Sequence, residues 1–258
     1  MQWAFTKARE LNVHFLMAFV HDCIIAFSDM CDIALRAEET YMFDFNAARV
    51  TMLDSQIRTN DVTDFAIQAA FRKIPRELFV PKSKMALAYG DANVDVGEGR
   101  WLIRPRDFSK MIDAADIAKT DVVLDIACGR GYSVAVMAEL AETVVALEET
   151  DEAVERATSI LERCGVTNAA VVKGELKAGA PEHGPFDVIF VNAAVSTVPQ
   201  TWLDQLANGG RLLVAKAEGP LCRVMVFTKT GDKVGERIVF DAQIPTLPGF
   251  TPEQEFVL

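Results

Sequence analysis

Asp125, Gly129, Gly131 and Glu148 are the residues whose types and spacing most plainly suit chemistry. They lie at the ends of two apolar runs. Val122-Val123-Leu124 leads into Asp125-Ile126-Ala127-Cys128-Gly129-Arg130-Gly131, and Val144-Val145-Ala146-Leu147 leads into Glu148. Glycine takes up positive φ without steric cost and lets a ligand approach the backbone closely. An acid ahead of the glycines can take hydrogen bonds inside the same site. An acid at the tip of the next strand can accept both hydroxyls of a ribose, as acids do for nucleoside-containing cofactors. A phosphate-binding loop would end in Gly-Lys-Ser/Thr, and this one does not. Taken singly, Asp125 reads equally well as a helix cap and Glu148 as a surface acid. Together, on consecutive strands, they favour a nucleoside-containing cofactor, and a nicotinamide dinucleotide stays open because its enzymes use a related turn.

Little else in the chain offers chemistry. His14, His21 and His183 lack metal-ligand spacing with a cysteine pair or acidic cluster, so no metal site is expected. Cys23, Cys31, Cys128, Cys164 and Cys222 are scattered with no Cys-x-x-Cys pair, which suits reduced thiols and a cytoplasmic location. Cys128 has no partner histidine and reads as a small residue that fits the loop. A formal charge of −11 over 258 residues argues against a nucleic-acid partner, whose phosphates call for concentrated Lys and Arg.

The elements that must position these residues follow from hydrophobic period and turn chemistry. From Thr120 onward strand and helix patterns alternate. Strands are expected at 122–126, 143–147, 169–172, 186–191 and 211–215, with helices at 132–141, 151–164 and near 201–206. Residues 224–227 and 237–240 should form a closing antiparallel pair across Gly231-Asp232. Such alternation implies a mainly parallel sheet with helices on both faces. Ahead of it, residues 46–73 read as helices separated by the turn and cap residues Asn60–Asp64. A further helical stretch is expected around Met85–Tyr89, a loop or irregular hairpin over 90–100, and a helix from Pro105 to about Ala118.

Residues 1–41 differ in character and are treated as an N-terminal extension, with the main domain spanning 42–258 and Met42 reading like a fresh start. The extension is either an accessory helix or a segment with no role. The apolar run Leu11–Phe27 contains Asn12, His14, His21 and Asp22 and falls short of a bilayer span, so a membrane anchor is not expected.

Longer segments carry a family resemblance. They include Ile74-Pro75-Arg76-Glu77-Leu78-Phe79-Val80-Pro81, Ala88-Tyr89-Gly90-Asp91, Gly97-Glu98-Gly99 and Pro105, then the loop Asp125–Gly131 with Tyr132. Further on come Pro185-Phe186-Asp187-Val188-Ile189, Ala193-Ala194, Val198-Pro199, Leu203-Asp204-Gln205-Leu206 and Gly209-Gly210-Arg211-Leu212. From about Leu53 to Val214 the chain resembles the protein-L-isoaspartate O-methyltransferases, a branch of the Rossmann-like class I methyltransferases. The resemblance implies an α/β fold with a mainly parallel seven-stranded sheet, an N-terminal helical segment, and S-adenosyl-L-methionine as cofactor. By the same resemblance Asp125, Ala127, Gly129 and Gly131 line the methionine and sugar side, Glu148 binds the ribose, and Glu175 lies near the adenine. The implied reaction is methyl transfer to the carboxylate of L-isoaspartyl residues in damaged proteins. That nucleophile is already anionic, so a site without histidine is sufficient.

The acceptor loop departs from the family. Where the family reads Gly-Gln-Thr-Ile-Ser before a proline, this chain reads Gly99-Arg100-Trp101-Leu102-Ile103-Arg104-Pro105. Trp101 stands at the threonine position and Ile103 at the serine position, so two hydroxyls give way to large apolar side chains. A carboxylate acceptor loses hydrogen-bond partners by this exchange. Trp101, Ile103 and Arg104 are therefore the acceptor-loop candidates, with Asn192 as a further lining group. Arg100, Arg104 and Arg106 read first as solvated loop charges and second as attractors of an acidic group. The acceptor is thus a protein or peptide, or, alternatively, a small molecule. A non-catalytic S-adenosylmethionine-binding protein is the rival from another class.

Overall fold

The computed structural model describes residues 43–251 apart from Pro220. The extension 1–41, its boundary with the main domain and the apolar run Leu11–Phe27 lie outside the described residues. Among the described residues no helix is long and apolar enough to cross a membrane.

The centre is a seven-stranded sheet made of β3 (Val122–Ile126), β4 (Thr143–Glu148), β5 (Ala169–Lys173), β6 (Phe186–Val195), β7 (Leu206–Glu218), β8 (Leu221–Thr230) and β9 (Lys233–Ala242). Their order is β5-β4-β3-β6-β7-β8-β9. The first five are parallel, and β8 and β9 fold back antiparallel, with Thr230 paired to Lys233 around the Gly231-Asp232 turn. The expected mainly parallel sheet with a closing antiparallel pair is what forms. The inner strands β3 and β4 are buried on both faces, which is why they read as unbroken apolar runs. Alternation along each strand divides the core in two. Val123, Val188 and Phe190 join one cluster, while Leu124, Ile126, Ile189 and Val191 join the other.

Helices α4 (Tyr132–Ala138), α5 (Asp151–Arg163) and α6 (Gln200–Asp204) connect the strands. Helix α5 starts where the Thr150 hydroxyl accepts from Ala153 N at 3.2 Å, has Asp151 and Glu152 in its first turn, and ends at Gly165 with positive φ.

Ahead of the sheet come α1 (Phe45–Met52), which widens into a π-helical turn Leu53–Ile57 and then tightens in a short 3₁₀ segment, and α2 (Phe65–Lys73). Asp64 caps α2 by accepting from Ala66 N and Ile67 N at 2.6 and 3.0 Å. The helical stretch expected around Met85–Tyr89 is a 3₁₀ helix, Lys82–Leu87. An antiparallel hairpin follows, β1 (Val94–Gly97) and β2 (Arg100–Leu102), so part of the acceptor loop is strand. Helix α3 (Pro105–Ala115) stops three residues short of Ala118, because Asp116 turns left-handed at φ 49°. Strand β6 outruns its expected end and places Asn192 inside the strand rather than at its tip. Residues after β9 cross its far end as a strap, where Ala194 N donates to Pro245 O at 3.0 Å and Leu247 N to Ala194 O at 2.8 Å.

Candidate active site

From β3 the chain runs through β4 to β5 on one side of the sheet, while β6 and β7 lie on the other. The crevice beyond the carboxyl ends of β3 and β6 is therefore the switch point where open α/β sheets bind ligands. The turn Ile126–Gly131 occupies it. Three of its residues have positive φ: Ala127 at 61°, Gly129 at 62° and Gly131 at 89°. Ala127 N donates to Leu147 O at 3.1 Å, and Gly131 N to Cys128 O at 2.9 Å, so the turn is fixed by its own backbone. A side chain at Gly131 would press on Leu161 at 3.3 Å and carry the strain of its φ as well.

Asp125 is fully buried. Its Oδ2 accepts from the Ser133 hydroxyl, while Oδ1 has no hydrogen-bond partner. Burial drives its pKa well above the usual carboxylate range, and neighbouring Glu148 adds to the rise. A buried acceptor left open is costly, and such groups mark functional positions more often than structural ones. Tyr132 is buried too, and its hydroxyl is also unpartnered. Burial pushes the Cys128 thiol up, which keeps it protonated and unreactive, in keeping with its reading as a small loop residue.

Glu148 closes the other side and is not a surface acid: its side chain is 2% exposed. Oε1 accepts from Gly129 N at 2.7 Å and from Arg100 Nε at 3.0 Å. Oε2 accepts from Arg100 Nη2 at 2.9 Å and from Glu149 N at 3.3 Å. Arg100 Nη2 also reaches Glu149 Oε2 at 3.0 Å. The reading of Arg100 as a solvated loop charge is thus corrected, since the nearest buried acid draws it in. Arg104 is corrected likewise: its Nε donates to the buried Asp107 at 2.7 Å. Arg106, with its side chain 37% exposed, touches the same acid at 3.3 Å. Glu175 stands two residues past β5, exposed to solvent.

The hairpin roofs the turn. A Cβ at Gly129 would crowd the Arg100 Cβ at 3.3 Å and carry the strain of φ +62°, so glycine fits best there. At the hairpin tip Glu98 binds Arg156 of α5 at 2.8 Å. Gly99 abuts the strap, with Pro248 Cγ 2.3 Å from where its Cβ would be. Ile103 is buried at 2% exposure, whereas Trp101 is half-buried and Asn192 also partly exposed. The candidate acceptor wall is thus built from the Gly99–Pro105 segment and the strap residues around Pro248.

Sequence reasoning about sites missed two residues. Arg76 is fully buried, donates through Nε to Ala88 O at 2.6 Å and through Nη2 to Ile103 O, and lies 4.7 Å over the Tyr132 ring. It is a strut between the acceptor loop and the start of α4; a single arginine among Ile74, Leu78 and Phe79 was the only signal. Arg100 as partner of Glu148 was the second, since nothing local in sequence links β2 to β4.

The chain as a whole is similar to known proteins. A family model described as protein-L-isoaspartate(D-aspartate) O-methyltransferase matches residues 48–242. The protein-L-isoaspartate O-methyltransferase of Methanoculleus marisnigri is 42% identical over 165 residues, 64% of this chain and 75% of that protein. That of Gloeobacter violaceus is 35% identical over 204 residues, 79% of this chain and 100% of that protein. A solved protein-L-isoaspartate O-methyltransferase superposes with a TM-score of 0.69 at 30% identity, covering 78% of this chain and 66% of its own. A Plasmodium falciparum candidate of the same kind, in complex with S-adenosyl-L-homocysteine, gives 0.66 at 19% identity over 76% of this chain and 96% of its own, which speaks for the fold.

Proposed function

The chain belongs to the protein-L-isoaspartate O-methyltransferase family, and from that premise we propose that it methylates a carboxylate of a protein or peptide, with the L-isoaspartyl side chain of damaged protein as acceptor. Its cofactor is S-adenosylmethionine, as throughout the family, and the nicotinamide alternative falls away. The observation that carries the site is the fixed turn at the switch point, flanked by a buried acid with an open acceptor atom. Asp125, Ala127, Gly129 and Gly131 hold the methionine and sugar side, Glu148 the ribose, and Glu175 the adenine side. We place the reaction in the cytoplasm, in keeping with scattered reduced cysteines.

When bound, S-adenosylmethionine would supply a sulfonium methyl group, the acceptor oxygen forming its O–C bond in line as the C–S bond breaks and S-adenosylhomocysteine leaves. The protein's contribution is position and dryness. No residue has to remove a proton from an acceptor that is already ionised. Arg76 fixes the Ile103 carbonyl and with it the acceptor loop. Half-buried Trp101 presents apolar surface and Ile103 is 2% exposed where the family has hydroxyls, so the acceptor carboxylate finds fewer hydrogen-bond donors and its desolvation must be offset by binding of the rest of the peptide. Arg104 is committed to Asp107 and is not free to replace them.

Calorimetry with S-adenosylhomocysteine tests the cofactor half. One molecule should bind per chain, and Gly131→Val should abolish binding because its side chain meets Leu161 at a φ of +89°. No heat from the wild-type protein at millimolar ligand would sink the proposal.

A further inference from the structure

Glu148 has no acceptor position to spare. A carboxylate offers about four lone-pair sites, and here Gly129 N, Glu149 N and two nitrogens of Arg100 fill them. A ribose diol bonded to Glu148 needs two of those sites. The backbone donors are fixed by the turn and strand, so the arginine is the group that can leave. It also has somewhere to go, because the same guanidinium already touches Glu149, whose side chain is 49% exposed.

We infer that Arg100 is a latch on the ribose subsite, closed on Glu148 in the free protein and moved to Glu149 when the cofactor binds. This rests on the cofactor reading above. Glutamine, which the family motif carries at this position, is uncharged and cannot form a bidentate ion pair with a carboxylate. Its consequence reaches beyond one side chain. Arg100 opens β2, and ion pairs tie the hairpin down at Asp95 to Lys84, at Glu98 to Arg156, and at Arg100 to Glu148 and Glu149. Releasing Glu148 leaves the roof held by the others, with the moved guanidinium now on Glu149. Entry of the cofactor therefore shifts the anchor beside Trp101 from Glu148 to Glu149 while the rest of the roof stays tied.

The latch lowers apparent cofactor affinity by the fraction of time it stands open. Removing it raises affinity. Calorimetric titration with S-adenosylhomocysteine should show Arg100→Gln binding about tenfold tighter than wild type, as for a latch closed roughly nine-tenths of the time. Arg100→Lys, which keeps the charge but not the two-pronged geometry, should fall between them. In the wild-type protein the Arg100 Nε–H should exchange slowly with solvent when free and faster once S-adenosylhomocysteine is added. If wild type binds and both variants bind equally or more weakly, the latch is wrong while the cofactor assignment stands. If no form binds, the cofactor assignment fails and takes the latch with it. If Arg100→Gln does not fold, the lysine variant and the exchange measurement decide alone.

Discussion

Replacing Ile103 by serine sets a calculable loss against a specific gain. Ile103 is 2% exposed and packs in the larger core cluster. Serine removes about three buried carbons, worth roughly 0.8 kcal/mol each, and leaves a small cavity, so the cost should be about 3 kcal/mol. A domain with a stability of about 5–15 kcal/mol survives that loss. Urea unfolding at equilibrium reads the cost directly. In return, a hydroxyl beside an anionic acceptor contributes about 1.5–3 kcal/mol, so transfer to an isoaspartyl peptide should rise about tenfold to a hundredfold in kcat/KM. Adding Trp101→Thr should raise it further, since both changes restore the family's residues. A fall in stability of the expected size with no gain in transfer would refute the reasoning: Ile103 would then be core and not acceptor wall.

Two further perturbations separate the donor side from the acceptor side. Asp125 has its pKa raised by burial and by Glu148, so its contribution to stability is full in acid, where the unfolded chain is protonated too, and is lost as pH rises through the folded-state value. Asp125→Asn should accordingly gain melting temperature over wild type on going from about pH 4 to neutrality, and parallel melting profiles would contradict the assignment. Gly99→Ala places a carbon 2.3 Å from Pro248 Cγ at a φ of +69°, so the strap must yield by about 1.5 Å to reach ordinary contact. It should raise the KM for peptide by more than it changes S-adenosylhomocysteine affinity; a change confined to cofactor affinity would place the strap elsewhere.

The parallel core was legible because β3, β4 and β6 are buried on both faces and announce themselves as apolar runs between turn residues. The turn Ile126–Gly131 was legible for a local reason as well: positive φ at Gly129 and Gly131 favours glycine, and the two lie close together in sequence. What escaped was long-range. Arg100 meets Glu148 across 48 positions, and Arg76 meets Ile103 across 27. No local pattern distinguishes those arginines from solvated ones until the strands bring a buried acid or carbonyl within reach. Helix ends slipped for the same kind of reason. Asp116 stops α3 by turning left-handed, a conformation that aspartate tolerates but does not advertise. The acceptor side is the least legible part, because Trp101 and Ile103 depart from the family and their apolar surfaces name no ligand.

The most direct test is to incubate the protein with methyl-labelled S-adenosylmethionine and an isoaspartyl peptide, then ask whether label on the peptide is released by mild base. Base-labile label, at a slower rate than a relative carrying the loop serine gives, is the expected result, because the product is a carboxyl methyl ester. Base-stable label, or none while the cofactor binds, would contradict carboxylate methylation by this chain.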